Sequence, residues 1–139
     1  MNNNEEQFEL TPIIEEPMND YKIIHLHNKN NTYHLTRQIL LNSSYTMDTY
    51  CLFYHILAKN MDEFNDEYGS IACLIPRNHV EADLYMNVDA ESLDIIIKYI
   101  QTNKITNLEN NNKLISEIID LATILAMPKL VALLRNNYF

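Results

Sequence analysis

The sequence predicts an α+β fold, a small, mainly antiparallel sheet with a cluster of α-helices on one side. Three observations predict it. Short segments around residues 21–27 and 84–88 alternate apolar and polar residues, as half-buried strands do. Leu93, Ile96, Ile97 and Ile100 recur at helical spacing, as do Leu114, Ile118, Leu121, Ala122 and Leu125. The order hairpin, helices, further strands, helices groups like elements together and contains no internal repeat.

Taken in order, residues 1–19 carry Pro12, Pro17, many glutamates and few apolar anchors. A flexible acidic tail is expected there, with at most a short ordered piece at Ile13 and Ile14. Residues 20–139 are expected to form a single domain. In its first strand Lys22, Ile24 and Leu26 alternate with Tyr21, Ile23, His25 and His27. Asn28-Lys29-Asn30-Asn31 reads as a turn, because asparagine tolerates the left-handed conformation best after glycine. Residues 32–35 return as the second strand of a hairpin. A short helix follows from Thr36 or Arg37 to Leu41, broken by Asn42-Ser43-Ser44. Residues 47–57 form the next helix, with Leu52 and Ile56, and Phe53 and Leu57, one turn apart, and with Ser44, Thr46 or Asp48 to cap it.

Residues 61–69 read as a solvated acidic loop closing on Gly69, the only glycine. An apolar strand at 71–75, a turn at Pro76-Arg77-Asn78-His79 and a strand at 84–88 follow, the last with Leu84, Met86 and Val88 on one face. Asp89 caps the next helix, and Glu91 in its first turn opposes the helix dipole. A polar connection at 101–106 and a loop at 107–112 lead to the second stripe. Pro128 suits the first turn of a last helix, where its missing N–H costs nothing, and Leu130, Leu133 and Leu134 close the core.

Composition narrows the function classes. A chain of 139 residues, 47% hydrophobic, should bury roughly two thirds of its unfolded surface, enough for a core without staples. The apolar runs are a few residues long, so no membrane span is expected. The start, MNNNEEQFEL, lacks the basic and apolar regions of a signal peptide, so an intracellular protein, cytoplasmic or nuclear, is expected. Net charge is −9, with ten basic residues scattered and unclustered. Nucleic-acid binding depends on neutralising phosphates, so protein partners with basic patches are favoured instead. Cys51 and Cys73 are expected as free, mostly buried thiols. Asn, Ile and Tyr are over-used while Gly is scarce, as in an AT-rich genome such as that of a giant DNA virus or some protists.

Three groups of side chains carry candidate chemistry. His25 and His27 share a strand face, with His34 across the hairpin, but a metal site needs three or four supported ligands, and solvent-facing histidines are the plainer reading. Cys51 and His55 lie one helical turn apart with Cys73 available in space. This set defines the alternative function, a metal-binding protein or metal-dependent enzyme. As a catalytic dyad it lacks the electropositive surroundings a thiolate needs. Asp62, Glu63, Asp66 and Glu67 lack the spacing of a calcium loop, and one glycine cannot build a phosphate-cradling loop. No catalytic constellation emerges, and neither catalytic, cofactor nor metal residues are assigned.

Several motifs together resemble a BTB/POZ domain over about 115 residues, 21–135. Tyr33, Arg37 and Leu40 stand where the potassium-channel-tetramerisation branch has an aromatic, an arginine and a leucine. Tyr99, Thr102, Asn103 and Lys104 resemble that family's Tyr-x-x-Thr-Gly-Lys helix end, with Asn for Gly. Ala126, Met127 and Pro128 stand in its Gly-Ile-Pro-type turn. The paired glycines of the first hairpin are absent, and the segment 69–87 is longer than the family needs, room for an extra strand or edge hairpin. The resemblance implies a non-enzymatic protein-interaction module: a homo-oligomer, an adaptor, or both. If the chain is the whole protein, a stand-alone adaptor or oligomeriser is expected; if it is a fragment, a receptor domain belongs to the rest. Cullin-binding members carry an apolar-x-Glu motif after the middle helix, and Met61-Asp62-Glu63 matches it. Met61 and Glu63 are therefore the candidate protein-interaction residues, with a cullin of a ubiquitin ligase as candidate partner.

Overall fold

The structure is a computed structural model, and it describes residues 18–42, 51–105 and 107–138. The expected acidic tail, the caps Ser44, Thr46 and Asp48, and the first residues of the 47–57 helix lie outside the described residues. Strands β1 (Ile23–Asn28) and β2 (Asn31–Thr36) form the expected hairpin. Helices α1 (Arg37–Asn42), α2 (Leu52–Ala58) and α3 (Met61–Tyr68) follow, then β3 (Ala72–Pro76), β4 (Glu81–Met86), α4 (Ala90–Thr102), α5 (Asn112–Ile124) and α6 (Pro128–Tyr138). The sheet order is β2-β1-β4-β3, with β1–β2 and β3–β4 antiparallel and β1–β4 parallel. The α+β class and the mainly antiparallel sheet are as expected.

One face of the sheet carries the core. Ile24, Leu26, Leu35, Leu74, Ala82 and Leu84 are fully or almost fully buried there. Alternation places His25, His27, Thr32, His34, Cys73, Ile75 and Tyr85 on the opposite face, which the helices leave open. The same buried core holds Phe53, Ile56, Leu57 and Phe64 and both predicted stripes, Leu93, Ile96, Ile97 and Ile100 of α4 and Leu114, Ile118, Leu121 and Ala122 of α5. Burial on α4 is wider than its stripe and takes in Ser92, Ile95 and Tyr99. Each fully buried Leu or Ile contributes roughly 1.5–3 kcal/mol.

Local signals account for most boundaries. Asp89 caps α4 by accepting the Ser92 N–H at 3.0 Å, and Asn111 caps α5 by accepting the Leu114 N–H at 3.3 Å. Asn103 ends α4 in the left-handed conformation, φ 59° and ψ 22°. At the end of α5 the Ala126 N–H bonds the Thr123 carbonyl at 3.1 Å and the Met127 N–H bonds the Ala122 carbonyl at 2.9 Å, a Schellman closure that buries Met127.

Four expectations are corrected. Residues 61–68 form a helix, not an acidic loop, and a capping box starts it: the Asn60 side chain accepts the Glu63 N–H at 2.8 Å while Glu63 accepts the Asn60 N–H at 3.3 Å. Phe64 and Tyr68 then share its buried face. The strand expected at 84–88 runs from Glu81 to Met86, so Val88 lies beyond it. Leu133 is only half-buried, because Leu130 and Leu134 occupy the inward side of α6. In the hairpin turn the left-handed residue is Lys29, φ 54°, while Asn28 is buried and donates to the carbonyls of Met86 and Val88, both at 3.1 Å. Asn28 thus fastens the end of β4 to β1.

Candidate protein-interaction surface

The capping box fixes where the two candidate interaction residues stand. Met61 is the first residue of α3 and stays 39% exposed, so its thioether presents apolar surface at the head of the helix. Glu63 is also exposed, but one carboxylate oxygen is held by the Asn60 N–H. Its position is therefore pre-set by the helix cap. Asp62 shares this first turn, so the start of α3 carries two carboxylates and one exposed methionine.

Beyond that turn, α3 is tied to α2 by polar contacts. The His55 Nδ1 and the Tyr68 hydroxyl are 2.5 Å apart, and Lys59 Nζ meets Glu67 at 3.3 Å. Burial, together with the neighbouring Glu67, pushes the Tyr68 hydroxyl well above its ordinary pKa, so it stays protonated. Cys51 is buried at the start of α2, in the core beneath the sheet, whereas Cys73 is exposed on the outer sheet face. The structure therefore does not bring Cys51, His55 and Cys73 together as a ligand set. The expectation that both thiols are buried holds for Cys51 alone, because β3 alternation turns Cys73 outward.

The outer face of the sheet is more organised than isolated, solvent-facing histidines. His25 pairs with His34 in register, and their Nδ1 atoms are 2.9 Å apart. The other nitrogen of His25 meets Glu81 at 2.8 Å, and His27 meets Asp83 at 2.7 Å. Arg77 grips Asp83 with Nη2 at 2.7 Å and Nε at 3.1 Å, and Tyr85 stacks on His27. The Arg77 guanidinium, aided by His27, holds the Asp83 carboxyl down at about 2, and His25 with Asn78 lowers Glu81. Among the described residues no group of three or more His, Cys, Asp or Glu side chains is arranged to hold a metal ion. The carboxylates that engage the histidines were not singled out in the sequence. The alternation of Glu81 and Asp83 along one strand, once β4 is placed beside β1, is the signal that finds them.

Tyr33, Arg37 and Leu40, the first of the resembling motifs, act as structural fasteners. Tyr33 donates to Asp94 of α4 at 2.9 Å, and burial, reinforced by that carboxylate, pushes its hydroxyl up to about 12. Arg37 Nη1 donates to the carbonyls of Asn19 and Tyr21 at 2.7 and 3.0 Å, which ties α1 to the start of β1. Leu40 is fully buried.

This geometry defines a small α+β domain with one sheet face that the described helices leave uncovered and an acidic helix start. Among its described residues no helix is long and apolar enough to cross a membrane. The chain is 60% identical over 134 residues to an uncharacterized protein of Acanthamoeba polyphaga mimivirus, an alignment that takes in 94% of this chain and 58% of that protein. The chain thus spans little more than half the length of the relative it matches, and that relative belongs to a giant virus. No protein-family model matches the chain.

Proposed function

We propose that this chain is a BTB/POZ-like protein-interaction domain that associates with itself and docks partner proteins. The observation that supports this reading best is the agreement between element order and the local geometry of the resembling motifs. A β1–β2 hairpin leads through helices to β4, which lies parallel beside β1 and feeds directly into the acidic-start helix α4. Asn103 holds a left-handed conformation where the family has glycine, and Ala126-Met127-Pro128 forms the turn between paired helices. The long segment between α3 and α4 supplies β3 as an additional edge strand, so its length fits the same plan. The mimivirus relative favours a role among the proteins a giant virus makes in its host cell.

Within this reading, the finer proposal is recruitment of a cullin through Met61 and Glu63. Exposure of both Met61 and Glu63 in the first turn of the capped helix supports it. Calorimetry with a cullin N-terminal domain tests it. Binding is expected for the parent chain and a loss of at least tenfold in affinity for Met61→Ala. Glu63→Gln keeps the capping geometry and isolates the charge. No heat with the parent chain, or unchanged affinity in both variants, rejects cullin recruitment.

A further inference from the structure

The two edges of the sheet differ in kind. On β3 the backbone of Leu74 faces away from β4, and Asn65 of α3 occupies it. The Asn65 Nδ2 donates to the Leu74 carbonyl at 3.0 Å and its Oδ1 accepts the Leu74 N–H at 2.7 Å. A side-chain amide thus takes the place a further strand's peptide group would need. The next outward-facing position, Pro76, has no N–H to offer. This edge is blocked at consecutive outward positions.

On β2 the parity of the ladder is set by the Arg37 N–H, which donates to the Lys22 carbonyl at 2.9 Å. Leu35 and Tyr33 therefore face β1, while Thr32 and His34 turn their N–H and C=O groups away from the sheet. Among the described residues no hydrogen bond reaches those outward groups. The strand reads NTYHLT, without proline, lysine or bulge, the usual devices that blunt an edge. It also carries no carboxylate, in a chain of net charge −9.

We propose that β2 pairs antiparallel with β2 of a second copy of this chain, about a two-fold axis beside Tyr33. In that register Thr32 of each copy exchanges both backbone hydrogen bonds with His34 of the other. Two copies of the same acidic chain repel, and an uncharged strand is where their backbones can approach to the ~4.8 Å of a sheet. The doubled sheet reads β3-β4-β1-β2 followed by β2-β1-β4-β3, closed at both ends by Asn65 and Pro76. Assembly therefore stops at a dimer instead of propagating edge to edge.

This inference rests on the self-association proposed above and names its surface. Sedimentation equilibrium of the parent chain, His34→Pro and Thr32→Lys tests it, with thermal unfolding as a check on folding. The His34 N–H points outward, so proline removes no backbone hydrogen bond of the single chain, only the side-chain bond to His25, and lysine on an edge deters pairing. The expected result is a dimer for the parent and single-chain mass for both variants, with the unfolding transition retained. Should His34→Pro fail to fold, Thr32→Lys decides alone. A parent chain that is monomeric overturns both this edge and the self-association reading. An oligomer that survives in the folded variants overturns the edge alone.

Discussion

Among the described residues four that are not glycine hold positive φ: Lys29 at 54°, Asn103 at 59°, Asn110 at 63° and Ala126 at 60°. Asparagine adopts this conformation with little cost, because its short polar side chain bonds locally, so Asn103 was legible as a stand-in for glycine. Ala126 has no such compensation. Its strain, roughly 1–2 kcal/mol, is tolerated because the Schellman bonds and buried Met127 hold the turn. Ala126→Gly should therefore stabilise the fold, by about 1 kcal/mol, read as a higher urea midpoint with unchanged slope. The opposite expectation holds for Gly69. A Cβ there would collide with the Asn65 carbonyl oxygen, so the chain's single glycine is kept for space and not for backbone freedom. Lys29 shows where reading by residue type stops: the four-residue turn was visible, but its left-handed residue was not. The flanking asparagine was reserved for a tertiary task, the Asn28 bonds to Met86 and Val88.

At the scale of elements, α3 shows how a legible signature can be outweighed. Asn60 and Glu63 have the spacing of a capping box, yet the carboxylates around them read as a solvated loop. The deciding term is tertiary, since Phe64 and Tyr68 are buried only if those residues are helical. Asn60→Ala should cost about 1 kcal/mol of stability, measured by urea unfolding. The hydrophobic stripes of α4 and α5 were legible outright, because helical spacing states which side chains face inward. Ile96→Ala should cost about 2–5 kcal/mol in the same assay, since Ile96 is fully buried. The partners of the outer-face histidines were not legible, because they depend on β4 lying parallel to β1 across a long connection. Their electrostatics carry a pH signature. Asp83 is held at about 2 in the fold, below its ordinary 3.8. Its contribution is thus present above pH ~4 and lost as pH falls through that interval toward 2. Asp83→Asn should flatten the acid limb of the stability profile, measured by urea midpoints from about pH 5 downward.

For the whole molecule, the class of fold followed from the grouping of strands and helices, whereas the interaction surface did not. Met61 and Glu63 were marked by a short motif, and the structure adds that both stand exposed at a capped helix start. The contrast between a blocked β3 edge and an open β2 edge arises only when Asn65 is seen against Leu74. That contrast is three-dimensional and has no counterpart in residue spacing. The proposed activity is association of the chain with itself and with partner proteins. Size-exclusion chromatography coupled to light scattering, run on the full chain over rising concentration, tests it most directly. The expected mass rises to a multiple of the single chain. A mass equal to one chain at every concentration would contradict it.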